Sequence, residues 1–215
     1  MIYFYSGTPG SGKSLHVAKD IYMQLRRGKN VIANFDINYN AVPGKDNYGN
    51  GKGKKKGYFI QKENHELSPE WLIEFAVQCH KRNEKGNIAE GQTWLIIDEC
   101  QLIFNCRSWN DKSRLAWCSF FTQHRKYGYN IILISQFDRL IDRAIRSLIE
   151  YEIKHRKVNN FGTFGFLIGA FLMHPVFIAV DYWYGVREKV GVTFFVGREK
   201  YYRLYDSYKL FDAAG

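Results

Sequence analysis

A three-layer α/β domain around a mostly parallel sheet is the fold this chain predicts, and three observations carry the prediction. Short apolar runs alternate with segments of helical spacing along the first 160 residues. Two of the runs, Trp94-Leu95-Ile96-Ile97 and Asn130 to Ser135, are apolar without alternation, as strands covered on both faces require. The first run, Ile2-Tyr3-Phe4-Tyr5, feeds directly into a glycine-rich turn that opens a helix.

Each element follows from its residues. Ile2 to Ser6 is strand one, and a helix from about Lys13 to Arg27 places Leu15, Ala18, Ile21, Tyr22 and Leu25 on one face before Gly28 ends it. Val31-Ile32-Ala33 is a second strand. Asn38 to Gly57, rich in Gly, Asn and Lys, predicts an exposed loop whose Lys52, Lys54, Lys55 and Lys56 form a solvated run. Ser68 as N-cap, Pro69 at the first helical position and Glu70 in the first turn predict a helix to about Asn83. Thr93 to Asp98 is a buried strand, Asp111 to Tyr127 a helix ending at Gly128, Asn130 to Ser135 a strand, Asp138 to Leu148 a helix and Glu150 to Arg156 a strand. From Phe161 onward the aromatic, glycine-punctuated sequence predicts a meander of antiparallel strands, so residues 1–160 form the core and 161–215 a strand-rich extension of the same domain. Phe161 to Val180 is long and apolar enough to be weighed as a membrane span, but His174-Pro175 and Gly162, Gly165 and Gly169 favour strands with a turn.

Gly7-Thr8-Pro9-Gly10-Ser11-Gly12-Lys13-Ser14 fits the phosphate-loop pattern GxxxxGK[S/T] at every fixed position. Backbone N–H groups of such a turn close on phosphates, aided by the positive end of the helix that follows. Lys13 is placed to reach the β/γ-phosphates, and Ser14 to help hold Mg²⁺. Trp94-Leu95-Ile96-Ile97-Asp98-Glu99 has the form of a Walker B element, with Asp98 near the metal and Glu99 placed to polarise a water. The pair points to a P-loop NTPase of the additional-strand, catalytic-glutamate (ASCE) type that uses ATP. Gln136, ending the next strand beside Ser135, is a candidate ligand for the γ-phosphate or the water, and Arg125, Arg139, Arg143 and Arg146 are candidates for neutralising transition-state charge. An arginine acting in trans requires a homo-oligomer.

A formal charge of +10 draws the surface to acidic partners: nucleic acid, anionic lipid or the nucleotide itself. Cys79, Cys100, Cys106 and Cys118 have neither zinc-site nor disulfide-framework spacing, and the six histidines have no ligand spacing. The aromatic tail, Tyr182-Trp183-Tyr184 and Tyr201-Tyr202, is read as a packed strand layer.

Four segments, IYFYSGTPGSGKS (2–14), VIANF (31–35), WLIIDEC (94–100) and FTQHRKYGYNIILISQ (121–136), together resemble the N-terminal ATPase domain of the zonular occludens toxin (Zot) family, itself similar to the gene I assembly proteins of filamentous bacteriophages. The block Gln123-His124-Arg125-x-x-Gly128 is its most specific part, and Tyr205-Asp206-Ser207-Tyr208 is similar to the family's closing stretch. The resemblance implies a Mg²⁺- and ATP-using motor, oligomeric, on the cytoplasmic side of the bacterial inner membrane, that drives phage assembly and export. Its partners would be phage assembly or membrane proteins, coat proteins or single-stranded DNA. Family members continue into a transmembrane helix and a periplasmic part. The toxin association in the family name has no support in these residues. The competing reading is a DNA-translocating or DNA-packaging ATPase of the FtsK/HerA kind, motivated by the +10 charge and the lysine run.

Overall fold

A computed structural model describes residues 1–46, 49–105, 111–158 and 175–205. Its centre, among those residues, is an eight-stranded sheet of order β3-β2-β4-β5-β1-β6-β7-β8. The strands are β1 (Ile2–Ser6), β2 (Asn30–Ala33), β3 (Phe59–Gln61), β4 (Thr93–Ile97), β5 (Tyr129–Ile134), β6 (Tyr151–Lys157), β7 (Val176–Trp183) and β8 (Glu188–Val196). The first six are parallel, and β7 and β8 add on as an antiparallel extension. Strand β5 lies between the phosphate-loop strand β1 and the acidic strand β4, the inserted-strand order that the Asp98-Glu99 pair predicts.

Alternation along β1 splits the core in two. Tyr5 faces α1 (Lys13–Arg26), whose buried stripe Leu15, Ala18, Ile21, Tyr22 and Leu25 packs on Val31, Ala33, Ile132 and Ile153. Ile2 and Phe4 face the other layer, built from α2 (Pro69–Cys79), α3 (Asp111–Gln123) and α4 (Arg143–Arg146). Leu72, Trp117, Phe120, Phe121 and Ile145 close on Leu95, Ile97, Ile131 and Leu133 there. With helices on both faces, β4 and β5 gain from the unbroken apolar runs Trp94 to Ile97 and Ile131 to Ile134. Truncating a fully buried side chain such as Ile21 to alanine should cost about 2–5 kcal/mol.

Several boundaries move for local reasons. The helix expected to reach Asn83 ends at Cys79, because His80 turns extended and its ring bonds the Tyr127 carbonyl at 2.7 Å and Thr93 Oγ1 at 2.6 Å. The helix expected to reach Tyr127 ends at Gln123. Asp138 to Leu148 is not one helix: Ile141 pairs with Asn105 in an extended conformation, and Asp142 then caps α4 through the Ala144 amide at 2.7 Å. Strand β3 lies outside the predicted elements, being short and half-buried at the sheet edge. The lysine run is divided. Lys56 is buried, donating to the carbonyls of Tyr39 and Val42 at 3.0 Å over the Tyr39 ring, while Lys52, Lys54 and Lys55 are exposed. The centre of the apolar run after Phe161, with Cys106, His174 and residues 206–208, lies outside the described residues; among those described, no helix is long and apolar enough to cross a membrane.

Candidate nucleotide-binding site

The loop from Gly7 to Ser14 leaves the C-terminal end of β1 and curls into α1. Gly7, Gly10 and Gly12 hold φ values of 141°, 72° and 97°, a region that L side chains enter at a cost. Gly12 also has no room for a side chain, since an added Cβ would lie 2.4 Å from Phe177 Cδ1. Among the described residues, the backbone amides of Gly10, Gly12, Lys13 and Ser14 donate to no other group. The buried Ser11 hydroxyl is also without a hydrogen-bond partner among them. Lys13 Nζ sits inside the curl, donating to the carbonyls of Gly7 at 2.6 Å and Thr8 at 3.2 Å. Its pKa is lowered by burial, against the opposing charges of Asp98 and Glu99. Unpaired donors, a cation and a helix N-terminus together form a cradle for a polyanion, so the residues present fit a triphosphate.

The acidic pair meets this cradle across β5. Asp98 and Glu99 follow β4, and Ser135 and Gln136 follow β5, all on the rim where β1 ends. Asn34 at the end of β2 fixes the start of this turn, exchanging hydrogen bonds with the Asp98 backbone at 2.7 and 2.8 Å. Asp98 Oδ1 accepts from the Glu99 amide at 2.8 Å, and Oδ2 from the Tyr205 hydroxyl at 2.8 Å. Burial raises the Asp98 pKa most, the Tyr205 bond and the Glu99 amide opposing it. Glu99 occupies the left-handed region at φ 45°, and its carboxylate accepts from Gln101 Nε2. A non-glycine residue held there costs about 1–2 kcal/mol, which the surrounding contacts must offset. Ser14 and Asp98 offer the hard oxygen donors that Mg²⁺ takes. Among the described residues there is no cluster of three or more His, Cys, Asp or Glu able to hold a metal.

The sequence profile described as "Zonular occludens toxin (Zot)" matches residues 1–209. The chain belongs to the Zot family. Among individual relatives, it is 28% identical over 159 residues to the Gene 1 protein of Enterobacteria phage fd, covering 74% of this chain and 42% of that protein. It is likewise 28% identical over 165 residues to the Gene 1 protein of Salmonella phage IKe, covering 74% and 40%. The match therefore spans about two fifths of those relatives' length. The crystal structure of the N-terminal domain of zonular occludens toxin from Neisseria meningitidis superposes with a TM-score of 0.53 at 17% identity, covering 95% of this chain and 98% of that one. B204, the DNA-packaging ATPase from Sulfolobus turreted icosahedral virus, gives 0.52 at 14% identity over 92% and 96%. These structural likenesses establish the P-loop NTPase fold.

Within this Zot-family chain the block most specific to the resemblance lies far from the loop. His124 bonds the N-terminal amine at 2.8 Å and Arg125 pairs with Glu150, which together pin the opposite rim, where β1, β5 and β6 begin. Arg143 is exposed on α4, and Arg139 and Arg146 line a separate cavity with Tyr184 and Arg187. Among the described residues, no arginine lines the cavity at the phosphate loop. Sequence reasoning missed what does: Phe177 from β7 and Tyr201, Tyr202 and Tyr205 of the tail that contains α5 (Glu199–Tyr202). It also missed His155 on β6, whose Nδ1 meets the Ser6 carbonyl at 3.0 Å just before the loop and whose Nε2 meets His16 Nδ1 at 2.8 Å. Aromatic residues spaced far from any motif give no signal of a shared site; only the antiparallel extension brings them over α1.

Proposed function

We propose that this chain is a Mg²⁺-dependent ATPase that works as a homo-oligomer on the cytoplasmic side of the bacterial inner membrane, driving assembly and export of filamentous phage. The observation that carries the ATPase reading is the convergence of Asp98 and Glu99 on Lys13 from across the inserted strand β5. The kinship with phage Gene 1 proteins supports the work to which hydrolysis is put.

In this reading the free amides of Gly10, Gly12, Lys13 and Ser14 bind the phosphates, and the Lys13 ammonium offsets charge on the γ-phosphoryl as it is transferred. Bound Mg²⁺, held by Ser14 and Asp98, would supply further charge neutralisation. Glu99 accepts the proton of the attacking water, its carboxylate held in place by Gln101. Gln136, on the rim between them, orients that water or the γ-phosphate. An arginine supplied in trans to neutralise transition-state charge would make the active enzyme an oligomer. Replacement of Glu99 by Gln is the test. Mg²⁺-ATP binding should survive while kcat falls by about 10²–10⁴, and virion release should fail when this variant replaces the wild type in a phage-producing host. Undiminished turnover would remove Glu99 as the base, and undiminished release would separate hydrolysis from export.

A further inference from the structure

A groove lined by arginines lies over strand β6, on the sheet face opposite α1. Ile153 of β6 packs in the layer of α1, so its neighbours Glu152 and Lys154 face the layer that holds α4. Two adjoining cavities of about 550 and 380 Å³ there share Asp138, Arg139, Tyr184 and Arg187. The first reaches Arg146 at the end of α4, and the second reaches Glu152, Lys154 and, on β7, Tyr182.

Both carboxylates of the groove are engaged. Asp138 Oδ2 accepts from the Tyr184 hydroxyl at 2.8 Å, while Glu152 accepts from Ser6 Oγ at 2.7 Å and faces Lys154 Nζ at 3.4 Å. The arginines are free. Among the described residues, arginine ion pairs fall to Arg114, Arg125 and Arg203, and the guanidinium groups of Arg139, Arg146 and Arg187 have neither an ion pair nor a hydrogen bond. Arg187 also holds the left-handed φ of 56°, a conformation that glycine fills at less cost. Three unpaired guanidinium groups bordering one cavity form a site for phosphate groups, because each planar fork can pair two phosphate oxygens. The rings narrow the class of phosphate ligand. Tyr182 lines the groove with Lys154 Nζ 5.1 Å from its ring centroid, and Tyr184 is held by Asp138. Cations that track a backbone beside rings that stack bases are what single-stranded nucleic acid takes. An anionic bilayer has no base to lay on a half-buried ring.

We propose that this groove binds the backbone of single-stranded nucleic acid, with Arg139, Arg146 and Arg187 on its phosphates and Tyr182 stacking a base. The proposal is independent of the nucleotide-binding reading, because strand binding is measured without ATP. The test is fluorescence anisotropy of a labelled oligo-dT of about 20 nucleotides titrated with the purified chain. Log K against log[salt] should fall with a slope of about −2 or steeper, as three neutralised phosphates require. The triple variant Arg139→Gln, Arg146→Gln, Arg187→Gln should lose at least about 10-fold in affinity and flatten the slope by about 2, and the matching triple lysine variant should restore the slope. Tyr182→Leu should lose about 10-fold with the slope unchanged, which a merely basic patch does not produce. Absence of binding, unchanged affinity and slope in the glutamine variant, or unchanged affinity in Tyr182→Leu overturns the proposal. Loss of binding on replacing Lys52, Lys54 and Lys55 by Gln, with the arginine variant unaffected, overturns it as well by placing the strand on the lysine run. Phosphatidylglycerol vesicles give the remaining comparison: vesicle binding that falls in the glutamine variant while oligo-dT affinity holds would make the groove a lipid-headgroup site and refute the nucleic-acid assignment.

Discussion

Acid should loosen the support of the phosphate loop through His16 and His155. The Ser6 carbonyl can only accept a hydrogen bond, so His155 carries its proton on Nδ1, and its Nε2 accepts from His16 Nδ1–H at 2.8 Å. Both rings are buried neutral, their pKa values pushed from 6.5 down to about 3, first by burial and then by the neighbouring Lys19 on His16 and by His16 itself on His155. Because the unfolded chain protonates near 6.5 and the native one only near 3, the native state binds fewer protons in between. Stability is therefore full above the unfolded value and falls as pH drops through that window. From about pH 7.5 to about pH 5.5 each histidine should remove about 1.4 kcal/mol, and the pair about 3 kcal/mol. Asp20, which accepts from the Tyr5 hydroxyl at 2.6 Å and faces His16 Nε2 at 3.9 Å, acts in the opposite sense, since burial raises its pKa to about 6. The burial-lowered pKa values of His80 and His124 add acid loss elsewhere. Comparison with a double variant, His16→Gln with His155→Gln, isolates the pair because those other groups are common to both proteins. Urea denaturation at the two pH values should give a loss in the wild type that exceeds the variant's by about 3 kcal/mol. Equal losses would refute the buried neutral pair.

Other outcomes follow from the same geometry. Gly12→Ala combines a left-handed φ with the Phe177 contact, whereas Gly10→Ala meets nothing within 4 Å, so denaturation should find the former less stable by about 1–3 kcal/mol more. Tyr205→Phe removes a bond that lowers the Asp98 pKa, so the acid limb of the pH dependence of kcat/KM should move to higher pH, and stability should fall by about 1–3 kcal/mol. An unmoved acid limb would show that Asp98 is not the group titrating there.

Legibility in the sequence followed the range over which each feature is determined. Strand β1, the phosphate loop and α1 are set by neighbours in sequence, and Gly7 to Ser14 appear in the structure as the pattern requires. Strands β4 and β5 were readable because burial on both faces leaves a continuous apolar run. Helix ends were not, because they depend on distant partners: His80 leaves α2 to reach Thr93 and Tyr127, and Ile141 leaves its helical pattern to pair with Asn105. Lys56 read as one more solvated lysine, since nothing local announces that the Tyr39 and Val42 carbonyls await it. The Gln123 to Gly128 block misled in another way. It carries the family resemblance, while His124 and Arg125 secure the rim opposite the loop.

The aromatic tail joins these threads. Two pieces of chain added beyond the parallel core reach the site: β7 brings Phe177 to the underside of Gly12, and the tail brings Tyr205 to Asp98. A nucleotide entering between them would touch the phosphate loop, the rings that line the cavity and, through Tyr205, the carboxylate proposed to hold the metal. The tail also bonds the loop after β2, where the Asn38 amide donates to the Leu204 carbonyl at 2.8 Å, and Asn34 on that same segment holds the Asp98 backbone. Any displacement of Tyr205 is thus felt by both flanks of the acidic pair. Among the described residues, the tail from Glu199 to Tyr205 thus touches the cavity beside the phosphate loop, the acidic pair and the loop after β2 together.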